Sequence, residues 1–404
     1  MSNLPFLGLA ASARQAGGTP VDLGRANAAS VLGAILAEGP LARAEIADRV
    51  GLTRATVTRV TNRLIELGIV REGEPRRENP GRPLIPIELA GEGRSVITLH
   101  FGAHETRIGA VDLCGRVLAE WREPYRSPDP AVVVRDAIRK IVEMRSQMET
   151  TTRILGVAAS VGGWVEPDSG VVVRFEPLGW AEVPLGSMLS DSLDLPLYFD
   201  QMVRGLALAE RMFGAARGAD DFVEMWIGNV VGAALVQDGS IRRGPRGAAG
   251  TIAHFPVRGG SDTRCECGRS GCLERSVSDE AVLAAAERDG LAHTTVLRDI
   301  VELAQADAPG ARDLIARVAR MAGEAGAAMA DLVNPPLFVV AGLITTAPDY
   351  VNEFRRQFTR MAKLSELVEV RASEFGDLAP TIASASLLLD AYYRDPFGFE
   401  HVQV

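Results

Sequence analysis

Gly250-Thr251-Ile252-Ala253-His254, followed after ten residues by Cys265-Glu266-Cys267-Gly268-Arg269-Ser270-Gly271-Cys272-Leu273-Glu274, is the stretch that decides how the rest of this chain is read. His254, Cys265, Cys267 and Cys272 form an H-x10-C-x-C-x4-C pattern within nineteen residues. Four soft or borderline ligands at that spacing, with Gly268 and Gly271 to turn the chain, can close a tetrahedral site around one Zn2+. With all four positions held by protein there is no place for an activated water, so the expected zinc is structural, one per chain. The alternatives are a disulfide within the cluster or a buried histidine with ordinary partners. Cys-x-Cys bridges poorly, and a tight cluster in a large domain favours metal over a disulfide framework. Cys114 stands alone.

The surrounding chain is too long for one core. Its 404 residues lead us to expect two or three domains, and 24% charged with 47% hydrophobic residues is ordinary for a globular protein. No apolar run reaches the roughly 18 residues of a membrane span. Leu4 to Ala11 is mildly apolar but has no Lys or Arg ahead of it, so a cytoplasmic protein with a disordered tail over residues 1–23 is expected rather than a secreted one. The net charge of −9 argues against indiscriminate coating of nucleic acid. Residues 24–93, however, hold ten Arg against nine acids; that segment is +1 and the remainder −10, an acidic body with a neutral-to-basic end.

That end has its own pattern. Ala28, Val31, Leu32, Ile35 and Leu36 recur at helical spacing until Gly39-Pro40, and a short helix is expected over Arg43 to Val50. Ala42 stands where that helix would prefer a Ser or Thr cap. After Gly51-Leu52, Thr53 is a good N-cap for a third helix to Leu67, closed by Gly68. Two apolar strands, Ile69–Gly73 and Leu84–Leu89, flank a Gly/Pro/Arg loop and read as a hairpin wing. Three helices and a hairpin make a winged helix-turn-helix over residues 24–93.

On the third helix Val57, Val60, Leu64 and Leu67 form the expected buried stripe. The opposite face presents Arg54, Ala55, Thr58, Arg59 and Asn62. Arg suits guanine, Asn suits adenine, and Ala or a Thr methyl suits the thymine methyl. Thr53 to Arg63 carries three Arg and no acid, which suits a phosphate-lined groove. Arg82 on the wing could enter a minor groove. A solvated helix face is the alternative, but the helix-turn before it and the Arg-rich wing after it favour double-stranded DNA.

From Ser95 onward strands and helices alternate, the texture of α/β lobes. Expected strands include 96–99, 106–113, 117–120, 154–159, 222–227, 232–237 and 337–341, with helices at 131–148, from Gln201 to Arg211, and over much of 279–332. A first lobe is expected over 94–200, completed by a helix at about 380–395, and a second over 201–380. No internal repeat of short period is apparent.

The Gly250–His254 and Cys265–Glu274 motifs resemble those of the ROK family of sugar kinases and sugar-responsive repressors, over about residues 25–395 and including the head that the repressor branch carries. The resemblance implies a two-lobed actin/hexokinase-like fold and a homodimer or dimer of dimers that releases its operator on binding a sugar or a partner. It also implies a sugar site at Gln201, Met202, Thr251, His254 and Glu274. Family kinases place a general-base Asp where this chain has Met202, and a thioether accepts no proton. Asp200 is two positions out of register. His100-Phe101-Gly102-Ala103-His104 replaces the kinase's Asp-x-Gly-x-Thr, so a His stands where an Asp would hold Mg2+. In Gly228-Asn229-Val230-Val231-Gly232, Val230 replaces a Gly in the second phosphate turn. The expectation is therefore a zinc-containing, catalytically inactive regulator of carbohydrate metabolism, not an enzyme. Its site lacks two of the family's three sugar-binding carboxylates. An active sugar kinase with an added head, or a ligand-independent DNA-binding scaffold, are the rival readings.

Overall fold

The computed structural model describes residues 20–76, 83–148 and 152–401 and divides into two compact units. The first comprises the chain up to Val161, Val165–Phe213 and the chain from Pro380; the second comprises Gly162–Trp164 and Gly214–Ala379.

The first unit opens with α1 (Pro20–Glu38), β1 (Leu41–Ala42), α2 (Arg43–Val50), α3 (Arg54–Glu66), β2 (Val70–Glu72) and β3 (Pro86–Leu89), a winged helix. The expected tail is too long at its end: α1 begins at Pro20, because proline suits a first helical turn and Asp22 complements the helix dipole there. Residues 1–19, and Arg82 with the wing tip at 77–82, lie outside the described residues. The wing has a third strand that alternation could not disclose, since two-residue β1 pairs with β3 through Leu41–Ile87 and Ala42–Pro86. The missing cap on α2 is made good by Glu45, whose Oε2 accepts the Ala42 N–H at 2.6 Å, half of a capping box.

The same unit continues with β4 (Arg94–Phe101), β5 (Glu105–Asp112), β6 (Val117–Pro124), α4 (Pro130–Met148), β7 (Arg153–Val161), β8 (Trp164–Glu166, from Val165 onward), β9 (Val171–Phe175), β10 (Trp180–Val183), α5 (Leu185–Ser190), β11 (Leu197–Gln201) and α6 (Met202–Phe213). Its five-stranded sheet has the order β11-β7-β4-β5-β6, with β11, β7 and β4 parallel and β5 and β6 antiparallel. β4 and β7 are buried nearly throughout; β7 carries the near-continuous apolar run of a strand covered on both faces, whereas β4 buries Ser95, Thr98 and His100 among its apolar residues. The boundary expected at 201 falls inside this unit. α6 belongs with it because Gly205 lets the helix close on the later segment: a Cβ there would lie 2.4 Å from the Ala383 carbonyl oxygen.

The second unit holds β12 (Phe222–Ile227), β13 (Val231–Gln237), β14 (Ser240–Ile241), α7 (Glu274–Val277), α8 (Asp279–Arg288), α9 (Leu297–Gln305), α10 (Pro309–Val333), β15 (Leu337–Gly342), α11 (Pro348–Met361) and β16 (Glu369–Ala372). Its sheet order is β14-β13-β12-β15-β16, with β12, β15 and β16 parallel. Its core gathers Phe338, Phe354 and Phe358, with ring centroids 5.3–6.0 Å apart. Counted along the chain within each unit, both five-stranded sheets run 3-2-1-4-5. α12 (Ala379–Arg394), from Pro380 onward, and α13 (Pro396–His401) return to the first unit. No helix among the described residues is long and apolar enough to cross a membrane.

Candidate nucleic-acid interface and metal centre

α3 is built to be presented. Thr53 caps its start, Oγ1 accepting the Thr56 N–H at 3.2 Å, and Gly68 turns the chain at its end with φ +65°. Val57, Val60 and Leu64 are buried as expected. Thr61 completes the stripe rather than Leu67, which is half-buried, because the Thr61 hydroxyl donates to the Val57 carbonyl at 2.9 Å and so buries no unpaired donor. Arg54, Ala55, Thr58, Arg59 and Asn62 are all exposed. The guanidiniums of Arg54 and Arg59 have no ion pair or hydrogen-bond partner among the described residues, whereas Arg63 is paired with Glu66 and Arg71 with Glu88. The Thr58 hydroxyl donates to the Arg54 carbonyl at 2.8 Å, so its donor is used within the helix.

Two arginines that local patterns did not single out hold this helix. Arg94, at the start of β4, donates to the Gly68 carbonyl at 3.2 Å and to the Leu67 carbonyl, a cationic cap on the C-terminus of α3. Arg43, at the start of α2, spends its three nitrogens on Thr61, Asn62 and Glu72. Both reach residues 18 or more positions away, so no spacing rule could disclose them.

In the second unit the ligand atoms of His254, Cys265, Cys267 and Cys272 all lie within 4.8 Å of one another. Cys265 Sγ is 3.3 Å from His254 Nδ1, and Cys267 Sγ is 3.5 Å from Cys272 Sγ. The edges of a zinc tetrahedron with S and N ligands are about 3.5–3.8 Å, so the donor set and its spread fit that ion. The backbone prepares this. Val257 N–H donates to the Gly271 carbonyl and Leu273 N–H to the Phe255 carbonyl, placing the His254 and Cys272 segments side by side. Gly268 and Gly271, at φ +85° and +74°, make the left-handed turns between the cysteines. The Arg269 guanidinium hydrogen-bonded to Cys267 brings that thiol down to about 6, while burial and its neighbours push Cys272 up. All four cysteines of the chain are free thiols.

The residues at the kinase-like positions are otherwise engaged. His100 lies opposite Arg107 in the β4–β5 ladder, and its Nδ1 is 2.9 Å from Ser160 Oγ, itself 2.7 Å from Ser384 Oγ. Burial, with Arg107 adding to it, lowers the His100 pKa to about 3, so the ring is neutral. Asp200 is fully buried. Its Oδ1 accepts Arg204 Nε at 2.6 Å and the Gln201 N–H at 2.7 Å, and Arg204 also donates to the Val165 carbonyl at 3.1 Å. Gln201 and Met202 are buried in the first unit; Thr251, His254 and Glu274 belong to the second. Thr251 donates to the Ala248 carbonyl at 2.9 Å and Glu274 Oε2 accepts the Val231 N–H at 3.0 Å. Val230 is half-buried in the β12–β13 turn, where burial alone raises the neighbouring Asp279 carboxyl to about 7 and its N–H donates to the Gly228 carbonyl.

A ROK-family model matches residues 96–391, and a MarR-family model matches residues 21–78, the winged helix. The chain belongs to the ROK family. Transcriptional regulator Rv0485 of Mycobacterium tuberculosis is 33% identical over 391 residues, covering 92% of this chain and 86% of that protein. Among solved structures, a ROK-family transcriptional regulator described as a homolog of the E. coli MLC protein superposes with a TM-score of 0.74 at 25% identity, covering 92% of this chain and 97% of its own. A ROK-family glucokinase from Streptomyces griseus, solved with glucose and AMPPNP, shares the fold at a TM-score of 0.63 and 23% identity, covering 72% of this chain and 98% of its own. The regulator is matched through the head as well as the ROK body. This ROK chain thus combines a MarR-type winged helix with a sugar-kinase-like body.

Proposed function

We propose that this ROK protein is a DNA-binding transcriptional regulator whose kinase-like body carries out no phosphoryl transfer. The observation that carries the reading is α3: a capped helix in a winged-helix setting, with Arg54 and Arg59 exposed and free of any carboxylate among the described residues. Unpaired guanidiniums are free to exchange counterions for phosphates or to bridge guanine O6 and N7. Arg54, Ala55, Thr58, Arg59 and Asn62 contact the duplex on this reading, with Arg82 on the wing. Two chains would bind pseudo-palindromic half-sites spaced by whole turns. Sites from genome-wide mapping of bound DNA supply the duplex for the test. Arg59→Ala should weaken specific binding by about 1–3 kcal/mol in anisotropy titrations. If neither Arg54→Ala nor Arg59→Ala loses affinity, the reading is wrong.

Inactivity is supported by four separate positions. His100 is neutral and buried where a metal-binding Asp would stand, Met202 cannot take a proton, Asp200 is held by Arg204, and Val230 places a Cβ in a phosphate turn. Structural zinc is the proposed occupant of His254, Cys265, Cys267 and Cys272, where it would cross-link the two segments and leave no open coordination position.

Sugar binding by this chain is proposed to be weak. Met202 and Thr251 stand where carboxylates would be expected, and the third acid, Glu274, is engaged by Val231. Each lost acceptor costs roughly 1.5–3 kcal/mol in charge-assisted hydrogen bonding. Calorimetry with glucose, N-acetylglucosamine and xylose should therefore find nothing tighter than roughly millimolar. A micromolar sugar that also releases DNA would refute this.

A further inference from the structure

Asn62 is the one amide on the exposed face of α3, and its oxygen is already occupied. Arg43 Nη2 donates to Asn62 Oδ1 at 3.2 Å. The same guanidinium donates through Nε to Thr61 Oγ1 at 3.1 Å and through Nη1 to Glu72 Oε1 at 2.8 Å. Thr61 is fully buried and tied back to Val57, and Glu72 ends β2 at the root of the wing. One side chain from α2 therefore grips the recognition helix and the wing together. The planar fork allows little freedom, because its donors leave in fixed directions.

An asparagine reads adenine by accepting from N6 with its oxygen while donating to N7 with its amide nitrogen. With one lone pair of Oδ1 committed to Arg43 and that oxygen held toward α2, the amide N–H groups are the freer hydrogen-bonding side of Asn62. The base edge best matched to two donors is guanine, which presents O6 and N7 as acceptors; cytosine, which presents a donor, is matched worst. We infer that Arg43 is a positioning residue that fixes Asn62 as a hydrogen-bond donor, so that the base pair it meets is selected as guanine rather than adenine. This rests on the reading of α3 as a DNA-recognition helix. Arg43 itself touches no base in this account; it acts through Asn62, with Glu72 holding it in place.

The test selects duplexes from a randomised library with the full-length chain and with Arg43→Met, Glu72→Gln and Asn62→Ala. Anisotropy titrations then follow on duplexes permuted at one base pair. The wild type should select guanine at one position per half-site, and Asn62→Ala should erase that preference there while leaving the others. Arg43→Met should still bind, with the guanine-to-adenine affinity ratio moved toward adenine by about tenfold, within what one bidentate contact discriminates. Glu72→Gln, which keeps both Arg43 and Asn62, should move the ratio the same way by less, and it decides the matter if Arg43→Met does not fold. Three outcomes overturn the inference: a wild-type preference for adenine at the Asn62-dependent position, no Asn62-dependent position, or an affinity loss that is uniform over the four base pairs. Absence of any sequence-selective binding by the wild type would instead remove the DNA-recognition reading beneath it.

Discussion

Replacing Arg204 by Met should cost the first unit several kcal/mol, far more than loss of a surface ion pair. Arg204 is 1% exposed and Asp200 0%, and the carboxylate takes Arg204 Nε at 2.6 Å and Nη2 at 2.5 Å. Removing the guanidinium strands a carboxylate in the interior and leaves the Val165 carbonyl without that donor. Breaking a buried pair from one side costs about 3–5 kcal/mol, whereas replacing both partners by apolar side chains of similar volume is often neutral or better. For a unit of this size, 1 kcal/mol moves the midpoint by roughly 2–4 °C, so Arg204→Met should lower Tm by about 6–20 °C. Asp200→Leu/Arg204→Met should recover most of that. The assay is scanning calorimetry of the full chain at fixed pH and zinc, following the transition that the single variant moves. A single variant within about 1 kcal/mol of wild type, or a double variant no better than the single, would refute the reasoning. It would also free Asp200 to be considered as a proton acceptor. The corollary is chemical: wild type and Met202→Asp alike should release no ADP with hexoses, ATP and Mg2+, since the substitution restores one group and leaves His100 and Val230 unchanged.

Metal analysis of purified protein should return close to one zinc per chain. Cys267→Ser should lose both that zinc and thermal stability, because metal binding energy at such a site is folding energy. Metal-free, fully folded protein with a Cys265–Cys272 disulfide would overturn the assignment. His100 makes a pH-dependent contribution of known sign. Its folded pKa of about 3 lies below the unfolded 6.5, so in acid the unfolded chain takes up a proton that the folded chain refuses. The stabilising contribution is complete above pH 6.5 and is lost progressively toward pH 3. His100→Gln should flatten the Tm–pH profile over that window relative to wild type, and parallel profiles would show that the ring is accessible to solvent.

How much of this was legible in the chain depends on whether the decisive partner lies close by. The helices of the head follow from apolar spacing together with local caps and breakers, apart from the start of α1, and α2 occupies the residues expected of it, because each turn repeats within a few positions. The cluster of His254 with three cysteines was legible for a similar reason: all four side chains fall within nineteen residues, His254 and Cys272 on two paired segments and Cys265 and Cys267 on the loop between them. The shared 3-2-1-4-5 order of the two sheets was not. A strand buried on both faces needs only an apolar run, so β4 and β12 can occupy the same place in their sheets with no repeated residues to betray it. The loss of the kinase residues could be read at His100 and Met202, but its consequence could not. That His100 is neutral depends on its burial, with Arg107 adding to it, and the proposal that Asp200 is no substitute base depends on Arg204. The last of these was within reach: Asp200 and Arg204 are four apart where a strand gives way to a helix, a spacing that brings the two side chains together. Spacing could propose that pair but could not say that it is buried, and burial is what separates a costly interior ion pair from an ordinary surface contact.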